Sequence, residues 1–148
     1  MAIPVTRKYN NLTRLGNITT PYGGKTREEK FHPGVDIAAA NGTPIPSMTD
    51  GVVTNVVTGR KNGDNNFGNQ VSIKDRQGNT TTYSHLKDVM AKPGQQVKEG
   101  QVVMNMGDTG ASYSPKGGDS SHVDIRIVDA YNRYRDPLKV KKQKQWLA

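Results

Sequence analysis

His32 and Asp36 stand four positions apart in the stretch Phe31-His32-Pro33-Gly34-Val35-Asp36-Ile37. Pro33 and Gly34 between them argue against a helix and for an extended turn. Two such side chains on a bent segment can converge on one cation, and neutral imidazole with carboxylate suits zinc. The chain holds three histidines, His32, His85 and His122. With Asp36 and Asp124 they make a set of the right types for metal-assisted hydrolysis. That chemistry needs three protein ligands and an open position, together with a base and a donor near the developing oxyanion. The set suffices for three ligands and two further histidines, and spacing alone leaves open which residue takes which part.

Short strands have to position these groups. Gly51 to Val57 is rich in β-branched residues, Asn69 to Lys74 alternates, and Asp75 to Asn79 has the composition of a hairpin turn. The return strand, Thr80 to Leu86, is expected to place Thr81, Tyr83 and His85 on one face. Ser121 to Val128 alternates most cleanly. Val123, Ile125 and Ile127 should face one way, and His122, Asp124 and Arg126 the other. Leu15 to Gly24 reads as a strand ending in a Pro/Gly turn, Lys25 to Lys30 as a charged loop, and Gln96 to Val103 as a hairpin. Two long Gly-rich loops, 59–68 and 107–121, are expected to be irregular, the second carrying Tyr113. No helical period is evident before Tyr131.

At 148 residues the chain is one domain, and its 16 Gly and 8 Pro with recurrent Val, Ile and Thr favour a turn-rich β fold. The absence of Cys excludes disulfides and thiolate metal sites. A net charge of +8 points to a polyanionic partner. Nucleic acid is not expected, because aromatic and basic residues do not interleave in a binding-module pattern. No segment has the apolar length of a membrane span, and the first residues lack the apolar core of a signal peptide. From this a phage-encoded lysin or virion-associated enzyme is expected, with virion or tail proteins as further partners.

In order along the chain, several stretches resemble the lysostaphin/LytM-type zinc endopeptidases. Thr20-Pro21-Tyr22-Gly23 is similar to their opening turn. Phe31 to Ala39 with Gly42-Thr43-Pro44-Ile45 resembles the first metal motif, Thr82-Tyr83-Ser84-His85-Leu86 the motif of a catalytic histidine, and Val97 to Val102 with Gly107 to Gly110 the turns before the last motif. Asp136-Pro137-Leu138 resembles the domain end. The resemblance implies a mostly β fold, a compact antiparallel sheet of barrel-sandwich type with long loops flanking a groove. It implies one Zn²⁺ ion, His85 and His122 as catalytic groups, and bacterial peptidoglycan as substrate. The site of action would be extracellular, periplasmic or virion-borne, with anionic wall polymers as further partners. Residues 1–16 would be an N-terminal arm, 17–138 the peptidase-like domain and 139–148 a basic tail.

One departure stands out. The family's last motif is His-x-His, and here it is His122-Val123-Asp124. The implied ligand set becomes His32, Asp36 and Asp124. Two functions compete: a metallo-endopeptidase with a His-Asp-Asp site, or a catalytically degenerate domain that binds cell wall or serves a structural or regulatory role. Val97 to Val102 also looks like the hairpins of biotinyl and lipoyl carriers, but no tip lysine stands between characteristic neighbours.

Overall fold

The computed structural model describes residues 6–8, 12–26, 29–112 and 119–143. Along them run β1 (Thr6–Lys8), α1 (Leu12–Leu15), β2 (Asn17–Thr20), β3 (Val35–Ala38), β4 (Pro44–Pro46), β5 (Gly51–Val57), β6 (Asn69–Lys74), β7 (Thr80–Val89), β8 (Gln96–Val97), β9 (Val102–Met106), β10 (His122–Val128), β11 (Tyr134–Arg135) and β12 (Lys141–Gln143). The fold is the expected antiparallel β architecture, to which residues 12–15 add a four-residue helix whose Leu12 is buried in the core. No helix among the described residues is long and apolar enough to cross a membrane.

Ten strands form one sheet along the path β2-β3-β10-β7-β6-β5-β8, with β11 beside β10 and β9 linking β7 to β4. β1 and β12 pair separately as a two-stranded antiparallel ribbon. The expected hairpin over Gln96 to Val103 does not form. β8 pairs with β5, whereas β9 pairs with β4 and β7. The turn at Lys98 to Gln101 thus carries the chain from one region of the sheet to another.

β10 sets the register of the centre. Its Ile125 lies opposite Val35 of β3 and Tyr83 of β7, and its Val123 lies opposite Ile37; all five side chains are fully buried. Each contributes on the order of 1.5–3 kcal/mol by leaving water. Because side chains alternate, this register turns Asp124 and Arg126 to the other face, beside Asp36 of β3.

β7 departs from simple alternation. His85 was expected to share a face with Thr81 and Tyr83, but its backbone is left-handed, with φ 65°. One residue in that conformation resets the alternation. Tyr83 and Leu86 are both buried in the core, while His85 between them lines the cleft on the opposite face. The same residue is a corner of the sheet: before it β7 pairs with β10, and from Leu86 onward with β9.

Candidate metal centre

His32 is fixed by backbone contacts with the turn after β2. The Gly23 amide donates to the His32 carbonyl at 2.8 Å, and the His32 amide donates to the Gly24 carbonyl at 2.8 Å. Asp36 follows on β3, directly opposite Asp124 of β10. These three side chains converge: a ligand atom from each lies within 4.8 Å of the other two. Donors of one tetrahedral zinc stand roughly 3.3–3.6 Å apart, so this spread is within reach of small side-chain rotations.

The set fits a cation on a second ground. His32 Nε2 and Asp36 Oδ1 approach to 3.0 Å, yet both are buried without a partner of good hydrogen-bond geometry. Buried polar atoms left without a well-directed hydrogen bond are uncommon. Two of opposite ligand type, aimed into one space, suit an ion between them. Burial pulls the His32 imidazole down, but Asp36, Asp124 and Glu29 outweigh it and hold its pKa above the ordinary histidine value.

Around these three residues lies a second layer. His32 Nδ1 is 3.2 Å from Glu29 Oε1, which favours the tautomer that leaves Nε2 free to ligate. Arg126 donates to both oxygens of Asp124, from Nε at 2.9 Å and Nη2 at 2.8 Å, and reaches Glu29 Oε1 at 2.9 Å. Its guanidinium lies over the Phe67 ring, 4.7 Å from the centroid. Each carboxylate oxygen has two lone pairs, so Asp124 keeps the capacity to ligate. Gly34 makes room for this layer. A Cβ there would sit 2.7 Å from Arg126 Cγ and 2.5 Å from the Ile125 carbonyl oxygen.

His85 and His122 face each other, ring centroids 4.5 Å apart. His85 Nδ1 lies 2.7 Å from the Thr109 carbonyl, and His122 Nδ1 lies 2.9 Å from the Ser120 carbonyl. A carbonyl only accepts, so each Nδ1 carries the proton and each Nε2 is the acceptor nitrogen. Burial, and next the neighbouring His122, push the His85 pKa below the ordinary value, with the Thr109 carbonyl and nearby aspartates opposing. His85 is therefore neutral near pH 7, as a proton acceptor must be.

The five groups line one cleft of about 720 Å³. One wall carries Thr19 and Thr20 of β2 with Lys25 and Thr26 beyond it. The other comes from the two long loops, which are tied together. Gly63 donates to the Gly110 carbonyl at 2.9 Å, Gly110 to the Lys61 carbonyl at 2.8 Å, and Ala111 to the Asn66 carbonyl at 2.7 Å. Tyr113 lies outside the described residues. Sequence reasoning brought forward His32, Asp36, His85, His122 and Asp124, and the fold brings all of them together. It missed Glu29 and Phe67, and it gave Arg126 a face but no part. The signal for Arg126 was present: on a strand a cation two residues from a carboxylate lies beside it. Nothing in a charged loop singled out Glu29.

The model of peptidase family M23 matches residues 30–137. The DD-carboxypeptidase/endopeptidase Mpg of Neisseria meningitidis is 36% identical over 102 residues, 66% of this chain and 22% of that protein. The peptidoglycan DD-endopeptidase ShyC of Vibrio cholerae is 38% identical over 91 residues, 61% of this chain and 20% of that protein. The chain thus spans about a fifth of the length of these curated relatives. A zinc-containing peptidase from Vibrio cholerae superposes with a TM-score of 0.68 at 28% identity, covering 84% of this chain and 36% of that one. The catalytic domain of the prophage-encoded M23 protein EnpA from Enterococcus faecalis, in a mutant form, gives 0.65 at 29%, covering 81% and 87%. With most of the chain matched by the family model, and a fold shared with lysostaphin-type peptidases, the chain belongs to peptidase family M23.

Proposed function

We propose that this domain is a zinc-dependent endopeptidase that cuts peptide cross-links of bacterial peptidoglycan. The observation that carries the reading is the pair of orphaned, buried ligand atoms, His32 Nε2 and Asp36 Oδ1, set beside Asp124 and facing two imidazoles. His32, Asp36 and Asp124 would hold the ion, which when bound supplies a Lewis acid for the scissile carbonyl. His85, neutral at working pH, takes the proton of the attacking water at Nε2. His122, facing His85 across the cleft, is the group placed to stabilise the developing oxyanion. The cleft between the loop walls orients an extended peptide across these groups. The substrate class is carried over from relatives that are peptidoglycan endopeptidases by name.

The peptidase unit in this proposal spans residues 17–138, and its place of action is the cell wall, outside the cytoplasm. A net charge of +8 favours approach to anionic wall polymers. A phage setting is part of the proposal and finds support in the similarity to a prophage-encoded domain.

A second reading has one specific observation in its favour. Arg126 already places a cation against both oxygens of Asp124, as a domain that works without metal would need. Metal analysis of the purified protein, with release of cross-link fragments from purified peptidoglycan, separates the two. Stoichiometric zinc with hydrolysis supports the endopeptidase. Binding to wall without metal and without cleavage supports the module.

A further inference from the structure

Among the described residues, three carboxylates, from Asp36, Asp124 and Glu29, surround the His32 imidazole, and one guanidinium, that of Arg126, bridges two of them. The Arg126 side chain is 14% exposed and that of Asp124 is 5% exposed, so the pair is largely withdrawn from water. Over these four groups, three negative charges and one positive sum to −2, which balances a divalent cation. If position 124 were histidine with Arg126 kept, the sum would be −1, and a guanidinium would face both an imidazole that offers it no carboxylate and the bound dication. If position 126 also became neutral, the sum would return to −2.

We propose that Asp124 and Arg126 are one unit, in which Arg126 is the positioning residue that makes an aspartate workable at this ligand position. Arg126 holds both oxygens of Asp124 in the plane set by its fork and neutralises the charge that an aspartate adds relative to a histidine. Through Glu29 the same guanidinium reaches the Nδ1 side of His32, so one side chain braces ligands on both β3's approach and β10. Gly34 leaves the space in which it crosses. This inference rests on the zinc reading of the site.

The consequence is a change of sign. With Asp124 present, removing the guanidinium weakens zinc binding. With histidine in its place, removing the guanidinium strengthens it. The test is a cycle of four proteins, the parent, Asp124→His, Arg126→Gln and the double variant. Zinc affinity is measured by chelator competition, and ligand geometry by the visible spectrum of the cobalt-loaded forms. Arg126→Gln should lose roughly 10–100-fold, the usual effect of removing an outer-layer partner of a ligand. Asp124→His should bind weakly, and adding Arg126→Gln to it should restore at least about tenfold, or about 1.4 kcal/mol. Arg126→Lys, which keeps charge but not the fork, should lose affinity and alter the cobalt spectrum. Circular dichroism of the metal-free forms checks folding. If Asp124→His does not fold, Asp124→Asn replaces it and the same sign change is expected.

Additive effects in proteins that bind zinc overturn the coupling and leave the zinc reading standing. If neither the parent nor the double variant binds zinc, the zinc reading fails and the inference falls with it. If only the double variant binds, Arg126 excludes metal rather than supporting its ligand, which overturns the inference and favours the non-catalytic module.

Discussion

Asp36 and Asp124 are direct cross-strand partners on β3 and β10, with their carboxylates on the same face of the sheet. Like charges so placed destabilise a ladder. Asp124 is buried and Asp36 partly so, and a dication held between them would offset this repulsion. Asp36→Asn should therefore abolish zinc binding and, at a pH high enough that His32 is neutral and no imidazolium is left to pair with Asp36, leave the metal-free protein as stable as the parent or slightly more so. Thermal unfolding with a chelator, and then with added zinc, checks both halves. The parent should gain about 2.7 kcal/mol at a zinc concentration 100 times its Kd, and the variant nothing.

Proton and metal compete for His32. Burial lowers its folded pKa, but three carboxylates outweigh that and raise it above the ordinary value. The native metal-free state therefore binds this proton more tightly than the unfolded chain does. That contribution to stability is full below about pH 6.5, the unfolded value, and is lost as pH rises through the folded pKa. Zinc needs the neutral ring, so its affinity should climb through the same window and fall about tenfold per pH unit below it. Calorimetric titration in buffers of different ionisation heat should show a proton released on binding at neutral pH. Zinc affinity independent of pH between about 5.5 and 7.5 would remove His32 from the ligand set.

The central strands could be read from the chain because both faces of each have a job. In β10, the buried Val123, Ile125 and Ile127 fix the parity that sends Asp124 and Arg126 to the cleft, so their placement followed from alternation alone. His85 was out of reach of the same rule. Its left-handed backbone breaks the period of two where the strand turns from one partner to another, and nothing in Tyr83-Ser84-His85-Leu86 marks that break. β8 and β9 misled for a related reason: a turn between two short apolar runs looks like a hairpin, and only tertiary pairing separates them. Glu29 joins the site through contacts to residues three and 97 positions away, which no local pattern encodes.

The backbone at His85 allows chemistry and conformation to be separated. A β-branched residue at φ 65° is strained by on the order of 1–3 kcal/mol, whereas glycine is not. His85→Val should be clearly less stable than His85→Gly. Both should keep zinc, and both should lose wall hydrolysis by roughly 100-fold or more, as expected for removal of a proton acceptor. His122→Ala, in regular strand geometry, should lose activity on a similar scale with little change in stability. Metal content, melting temperature and turnover on one set of purified proteins check this. Near-parental turnover in His85→Gly would remove the histidine from the mechanism.

The last prediction concerns the loop that orients His85. The proton on His85 Nδ1 is held by the Thr109 carbonyl at 2.7 Å, and the Thr109 hydroxyl donates to the Leu86 carbonyl at 2.7 Å. Gly110 follows at φ 78°, so close to the neighbouring loop that an added Cβ would meet the Gly68 amide nitrogen at 2.3 Å and the Asn66 carbonyl oxygen at 2.4 Å. Both contacts are backbone, so a methyl group cannot be absorbed by a side-chain rotation. Gly110→Ala must push the two loops apart and carry the Thr109 carbonyl with it. His85 then loses the acceptor that sets its tautomer, while the proposed ligands His32, Asp36 and Asp124 are untouched. The expected result is retained zinc with turnover lowered at least about tenfold, the scale of a lost charge-orienting hydrogen bond. Gly59→Ala is the control. It has the same φ of 78° but nothing within 4 Å of the added carbon, so it carries only the left-handed penalty of about 1–2 kcal/mol. It should lower the melting temperature and leave turnover on folded protein near the parent's. Equal turnover in the two variants would mean that the loop does not act through His85.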